Sequence, residues 1–154
     1  ISFPGHFLVR LPVDDGVLVM DPFNRGRPLD VDELRERVEP HLVSGSLDDQ
    51  ALHDILHPAS HRSILVRMLR NLQALYAEKE DWARAVRSAD RVLTLLPDDP
   101  DALRERGIGY HHLGHALGAR EDLGRYLMLY PDADDGRQVR DVLVDASRGR
   151  ARLN

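Results

Sequence analysis

Apolar positions along this chain change their period as the chain proceeds. Between Ile1 and Phe23 they fall in two short runs, Phe7-Leu8-Val9 and Val17-Leu18-Val19-Met20, separated by Pro12-Val13-Asp14-Asp15-Gly16. Runs of β-formers around a turn cluster predict a hairpin. Because neither run alternates with polar residues, both strands are expected to be covered on both faces. A two-stranded hairpin is marginal alone, so these strands should belong to a larger sheet, most of it outside this sequence. The natural start of the chain is likewise expected upstream of Ile1.

From Asp30 onward the pattern becomes helical. Asp30 with Glu33 three positions later forms a capping-box signature, ahead of a helix that turns Leu34 and Val38 inward and ends near Pro40. Asn24 to Pro28 reads as loop, and His41 to Ser46 as a connector. Asp48 or Asp49 then caps a short helix with Leu52, Ile55 and Leu56, stopped by Pro58. From Ser60 the helices lengthen, and Leu65, Leu69, Leu72 and Tyr76 are expected to share one inward face.

The stretch from Ile64 to Pro131 is one pattern written twice. Leu69, Tyr76, Ala85 and Pro97 recur as Leu103, Tyr110, Ala119 and Pro131, always at the same offset. Leu93, Leu95 and Asp98 keep that register with Leu127, Leu129 and Asp132. The offset matches the tetratricopeptide repeat, a helix–turn–helix unit of about 34 residues. Such units stack on their neighbours and serve mainly as interaction surfaces. Ala85, Ala89, Gly107 and Ala119 are small where paired helices must approach closely. A last helix, about 135–148, offers Val139, Val142 and Leu143 on one side, as a capping helix would. Two units are few for a free-standing array, so docking on another domain or on a second copy of the chain is expected.

Composition narrows the function classes. Hydrophobic residues make up 42% and charged residues 31% of the 154, the balance of an ordinary globular protein. A net charge of −5 argues against a general nucleic-acid binder. No apolar run reaches the roughly 18 residues of a membrane helix, and a cytoplasmic setting is expected. The absence of cysteine rules out a disulfide, a zinc–thiolate centre or a thiol nucleophile within these residues.

Phe3-Pro4-Gly5-His6-Phe7-Leu8-Val9-Arg10, followed by Val19-Met20-Asp21-Pro22-Phe23-Asn24-Arg25-Gly26, resembles the transglutaminase-like core of the bacterial SirB-like family. There a degenerate core is followed by tetratricopeptide repeats, the order seen here. Arg25 departs from that pattern, standing where a glycine is common. Active transglutaminase-like enzymes use a Cys-His-Asp triad, in which the imidazole relays the thiol proton and the carboxylate orients the imidazole. The resemblance places His6 and Asp21 at the histidine and aspartate positions. A hairpin pairing Arg10 with Val17 sets His6 opposite Asp21, with Cβ atoms ~5 Å apart; a tighter turn would undo that pairing.

Three weaker constellations remain. His53-Asp54-Ile55-Leu56-His57 carries two histidines at i and i+4, as in a helical zinc motif, but with aspartate for glutamate and no evident third ligand. It reads as an interdomain helix face, and His111, His112 and His115 as partner contact or exposed surface, so neither a metal nor another cofactor is expected. On the concave face of a repeat array, Arg67, Arg70, Arg104 and His111 would suit an acidic peptide or a terminal carboxylate. The alternative is that these arginines pair with carboxylates of the array itself or with the neighbouring domain. The carboxylate-clamp pattern of such arrays is partly met, with Arg70 in place and Ala74 where asparagine is usual.

The chain is therefore expected to be mostly α. Residues 1–45 would be the C-terminal part of a transglutaminase-like core, and residues 46–154 a tetratricopeptide-like helical domain. The expected function is a protein–protein interaction module of a catalytically degenerate protein, with a regulatory role. The alternative is a cysteine-type acyl-transfer or amide-hydrolysing enzyme whose nucleophile lies upstream of Ile1.

Overall fold

The computed structural model describes residues 1, 3, 7–14, 16–41 and 48–148. The chain divides into two compact units, Ile1–Ile64 and Leu65–Asn154. The first contains strands β1 (Val9–Val13), β2 (Gly16–Asp21) and β3 (Arg27–Leu29), then helices α1 (Val31–Val38) and α2 (Asp49–Ile55). The second is built from α3 (His61–Glu78), whose first residues lie across the division, and α4 (Trp82–Leu95), α5 (Pro100–His112), α6 (Ala116–Leu129) and α7 (Gly136–Arg148).

The sheet has the antiparallel order β1-β2-β3, and its register corrects the hairpin expected from sequence. Val9 pairs with Met20, Arg10 with Val19 and Val13 with Gly16, so the ladder runs to Val13 and Gly16 before the strands part. Pro12 lies inside β1, where a proline is tolerated because this strand is at the sheet edge. The step from an Arg10–Val17 to an Arg10–Val19 pairing keeps each residue on its face but moves every partner by two. It removes the register that set His6 opposite Asp21. His6 itself lies outside the described residues.

A third strand replaces the loop expected between Asn24 and Pro28. Asp21 caps a short 3-10 turn over Pro22–Asn24; Arg25 (φ 56°) and Gly26 (φ 74°) then take left-handed conformations and swing the chain back. Gly26 donates its amide to the Asp21 carbonyl at 2.8 Å, and Asp21 pairs with Arg27 in the ladder. Arg25 carries a Cβ where glycine would be free of strain, which explains why a glycine is the easier residue there.

Among the described residues, one face of the sheet is covered. Val19 is buried with Phe3, Leu8, Leu29, Leu34, Val38 and Leu52, while Val9, Leu11 and Val13 on the opposite face keep 40–51% of their surface exposed. The apolar runs thus do not lie between two layers here. Helix α1 follows its signals: Asp30 Oδ1 accepts from the Glu33 amide at 2.8 Å and Glu33 Oε2 accepts from the Asp30 amide at 3.2 Å. Asp48 caps α2, accepting from the Ala51 amide at 2.7 Å.

The helical unit pairs α4 with α5 and α5 with α6, and α7 closes on α6. Its core holds Val66, Val92, Leu103, Leu123, Tyr126 and Val139, with Val142 and Leu143 packed against it. Helices α4, α5 and α6 each start on a side-chain cap: Asp81 to the Arg84 amide, Asp99 to Ala102 and His115 to Gly118. Close approach accounts for the small residues. A Cβ on Gly107 would stand 2.6 Å from Leu123 Cδ2, and one on Gly109 would stand 2.6 Å from Val86 Cγ2.

Helix α3 differs from expectation on one point. Its inward face is carried by Val66, which is buried, with Leu69 packed against the core, whereas Leu65 and Leu72 point outward. Both sets recur at helical spacing, and sequence periodicity alone does not say which of two adjacent apolar stripes meets the next helix.

Candidate functional site

Asp21 is the residue that the triad resemblance points to in the first unit. It sits at the end of β2, and its backbone and side chain both serve the turn that follows. Oδ1 accepts from the Phe23 amide at 3.0 Å and from the Asn24 amide at 3.3 Å. Oδ2 accepts from Arg37 Nη1 on α1 at 2.9 Å. At 4% exposure this carboxylate depends on those donors, because a buried charge without partners is strongly unfavourable. The geometry makes Asp21 a brace between strand, turn and helix. Arg37, which supplies the charge, was missed in the sequence. The signal available was only that a buried aspartate requires a cation, and nothing in spacing says which one.

The second candidate surface lies along α3 and α5. Arg70 and Arg104 occupy equivalent positions of successive repeats, and their guanidinium groups converge on one carboxylate. Asp101 Oδ2 lies 3.9 Å from Arg70 Nη2, and Asp101 Oδ1 lies 3.4 Å from Arg104 Nη2. Asp101 is more than half exposed, at 55% of its side-chain surface. Arg70 also bonds Asp99 at the start of α5, and Arg104 bonds Glu105 at 3.1 Å and Asp135 at 2.8 Å. Gln73 donates to Glu105 at 3.1 Å, joining the two helices between the arginines. A narrow cleft of about 20 Å³ opens beside Arg70, Gln73, Asp101 and Glu105.

Asp135 anchors the far end of this row. Tyr126 donates its hydroxyl to Asp135 at 2.6 Å. That bond, with the Arg104 guanidinium opposing the effect of burial, holds the Asp135 carboxyl below its usual value of 3.8. Burial, together with donation to this carboxylate, pushes the Tyr126 phenol up. Arg104 is held firmly protonated: burial alone would lower its pKa, but the Asp135 and Glu105 hydrogen bonds raise it.

Of the four residues expected to contact a peptide, Arg70 and Arg104 are brought together. Arg67 lies half-buried on α3, one turn before Arg70. His111 lies near the end of α5, with Nε2 3.4 Å from Asp145 on α7. Arg70 and Arg104 do pair with carboxylates of their own array, one of the arrangements the sequence left open.

The remaining histidines of the two clusters are accounted for locally. His112 stacks on Trp82, with ring centroids 3.8 Å apart and planes 3° from parallel. His115 caps α6, and His53 and His57 meet edge to face at 5.1 Å. Among the described residues, no group of three His, Asp or Glu side chains is placed to hold a metal ion. Among them, too, no helix is long and apolar enough to cross a membrane.

Comparison with known proteins adds to this geometry. Residues 1–70 match the family model described as the transglutaminase-like superfamily, and residues 72–144 match the tetratricopeptide repeat. A UPF0162 protein of Xylella fastidiosa (strain 9a5c) is 63% identical over 97% of this chain and 53% of its own length. YchA of Escherichia coli (strain K12), also a UPF0162 protein, is 24% identical over 91% of this chain and 51% of its own. SirB1 of Salmonella typhimurium is 23% identical over the same shares of the two chains. The C-terminal, tetratricopeptide-containing domain of a putative FK506-binding protein of Plasmodium falciparum superposes with a TM-score of 0.56. It is 22% identical over 86% of this chain and 82% of that one, a likeness of fold. The chain spans about half the length of the curated relatives it matches. With a transglutaminase-like region running into tetratricopeptide repeats, this chain belongs to the SirB-like family.

Proposed function

We propose that this chain is the interaction module of a catalytically degenerate transglutaminase-like protein, working in the cytoplasm through partner capture in a regulatory role. Its contact surface is the row of Arg67, Arg70, Arg104 and His111, and its ligand is an acidic peptide segment or a terminal carboxylate. The observation that carries this reading is the convergence of Arg70 and Arg104 on Asp101. Two register-equivalent guanidinium groups hold one exposed carboxylate, and that carboxylate stands where a ligand carboxylate would bind. Exchange of one such charge-assisted contact for another costs little when the outgoing group is already solvated. The absence of cysteine supports the non-catalytic half of the reading, since no thiol nucleophile is present within these residues.

The test is fluorescence anisotropy with a labelled tetraglutamate peptide bearing a free C-terminus. Asp101→Asn removes the one competitor shared by both arginines and should tighten binding about threefold to tenfold, while Arg70→Gln should weaken it about tenfold. Added salt should weaken binding by the unmodified chain. Equal affinity for all three proteins would remove the row as a binding surface. Covalent capture of a thiol-directed probe by the whole polypeptide would overturn the non-catalytic half.

A further inference from the structure

Given the arginine row as the contact surface proposed above, the groups around it distinguish between an acidic segment and a terminal carboxylate. Asp99, Asp101, Glu105 and Asp135 all stand close to Arg70 or Arg104. Three of these carboxylates are fixed. Asp99 caps α5 through the Ala102 amide at 2.9 Å and bonds Arg70. Glu105 accepts from Arg104 Nε at 3.2 Å, from Arg104 Nη2 at 3.1 Å and from Gln73 at 3.1 Å. Asp135 accepts from Arg104 Nη1 at 2.8 Å and from the Tyr126 hydroxyl at 2.6 Å. Asp101 is held more loosely, because its separations of 3.4 and 3.9 Å from the two guanidinium groups exceed ordinary N–H···O distances. One carboxylate is exchangeable here. A run of ligand carboxylates would instead meet three fixed negative charges, and like-charge contacts of that kind exclude a partner.

Four residues further along each of these helices the chemistry changes. Ala74, Ile108 and Val142 occupy equivalent positions of α3, α5 and α7, just beyond Arg70, Arg104 and Gln138. Ala74 is exposed, and Ile108 and Val142 are partly buried at the edge of the core. Contacts on either side bracket this apolar line. Arg104 meets Asp135 before it, and His111 meets Asp145 beyond it, so α5 and α7 run side by side in between. Gln73 and Glu105 join α3 to α5 immediately before Ala74 and Ile108. One helical turn rises about 5.4 Å, close to the reach of a large aliphatic residue from its carboxylate to its own methyl groups. A charged position and an apolar position thus stand one residue's length apart.

We propose that the row takes the C-terminus of a protein chain whose last residue is aliphatic. The α-carboxylate replaces Asp101 between Arg70 and Arg104, where charge-assisted hydrogen bonds receive it. The side chain of that same residue lies against Ala74 and Ile108, removing apolar surface from water. An aspartate or glutamate side chain brings no apolar group to this line, and its neighbours in an acidic run face Glu105 and Asp135. Recognition therefore has two points, the charge of a chain end and the bulk of its final side chain.

The test uses fluorescence anisotropy on the full chain with peptides labelled at the N-terminus. Trialanyl-leucine with a free C-terminus should bind about tenfold more tightly than its C-terminal amide, and about fivefold more tightly than tetraglutamate. Trialanyl-glycine should bind about fivefold more weakly than trialanyl-leucine. Ala74→Glu places a charge in the apolar line at an exposed position, so helicity by circular dichroism should be kept while the preference for leucine over glycine disappears. Equal binding of acid and amide, or a leucine preference that survives Ala74→Glu, overturns the proposal. Tighter binding of tetraglutamate than of trialanyl-leucine also overturns it, yet leaves the arginine row standing. Binding of every peptide unmoved by Arg70→Gln removes the row itself, so the two failures are distinct.

Discussion

The two units of this molecule meet the same problem of burying apolar surface by different means. In the helical unit, partners lie close along the chain, and the contacts of one repeat have counterparts in the next. Leu103 and Leu123 are completely buried, and the interhelix gaps are spanned by Arg106 with Asp122 at 2.7 Å and Arg104 with Asp135 at 2.8 Å. In the strand-containing unit the described residues cover one face of the sheet, and its cohesion depends on single residues. Asp21 joins β2, the following turn and α1 through one carboxylate. Redundancy along a repeat spreads stability over many similar contacts, whereas a small sheet concentrates it at a few positions.

That contrast can be broken most forcefully in the helical core. Leu103→Ala should cost about 3 kcal/mol, from lost apolar transfer and the cavity left behind. Trp82, the only tryptophan, lies against His112 between α4 and α5 and reports directly on this unit. Its urea transition should move to markedly lower concentration. Next comes Asp21→Ala, which removes both the turn cap and the contact with Arg37, at a cost of about 2 kcal/mol. Because this acts in the other unit, the Trp82 transition should stay in place while amide hydrogen exchange quickens in β2, β3 and α1. A shift of the Trp82 transition by the full amount would mean that the units unfold as one, and the contrast would fall.

The smallest effects compare two glycines within the helical unit. Gly107→Ala forces a Cβ into Leu123 and should destabilise by about 1 kcal/mol despite the better helix propensity. Gly124 has nothing within 4 Å of an added Cβ, so Gly124→Ala should stabilise by about 0.5–1 kcal/mol. Opposite signs from the same substitution, read as Tm shifts, would separate packing from propensity. Equal signs would show that the close approach at Gly107 relaxes at little cost.

Much of this was legible before any coordinates. Asp30 with Glu33, Asp48, and Pro97 to Pro100 mark helix ends through hydrogen bonds made within a few residues. The constant offset at which Leu69, Tyr76 and Ala85 recur implies stacked pairs because only one geometry repeats so. The sheet was harder. Its register turned on whether the chain reversed early or late within Pro12 to Gly16, and every residue there tolerates a turn. β3 was hidden because Arg25 adopts the left-handed conformation without the glycine that usually announces it. At the candidate surface, spacing indicated that Arg70 and Arg104 are equivalent, but not that Asp101 would stand between them.

The sequence by itself determined where helices start and stop, which residues repeat, and that no thiol is present, because these depend on local chemistry and on identity. Only the tertiary structure decided the partner of each strand, which of two apolar stripes on α3 faces inward, and that Asp21 braces a turn through Arg37. Those outcomes rest on long-range packing and on charges far apart in the chain, where several arrangements satisfy the same local preferences and the fold selects among them.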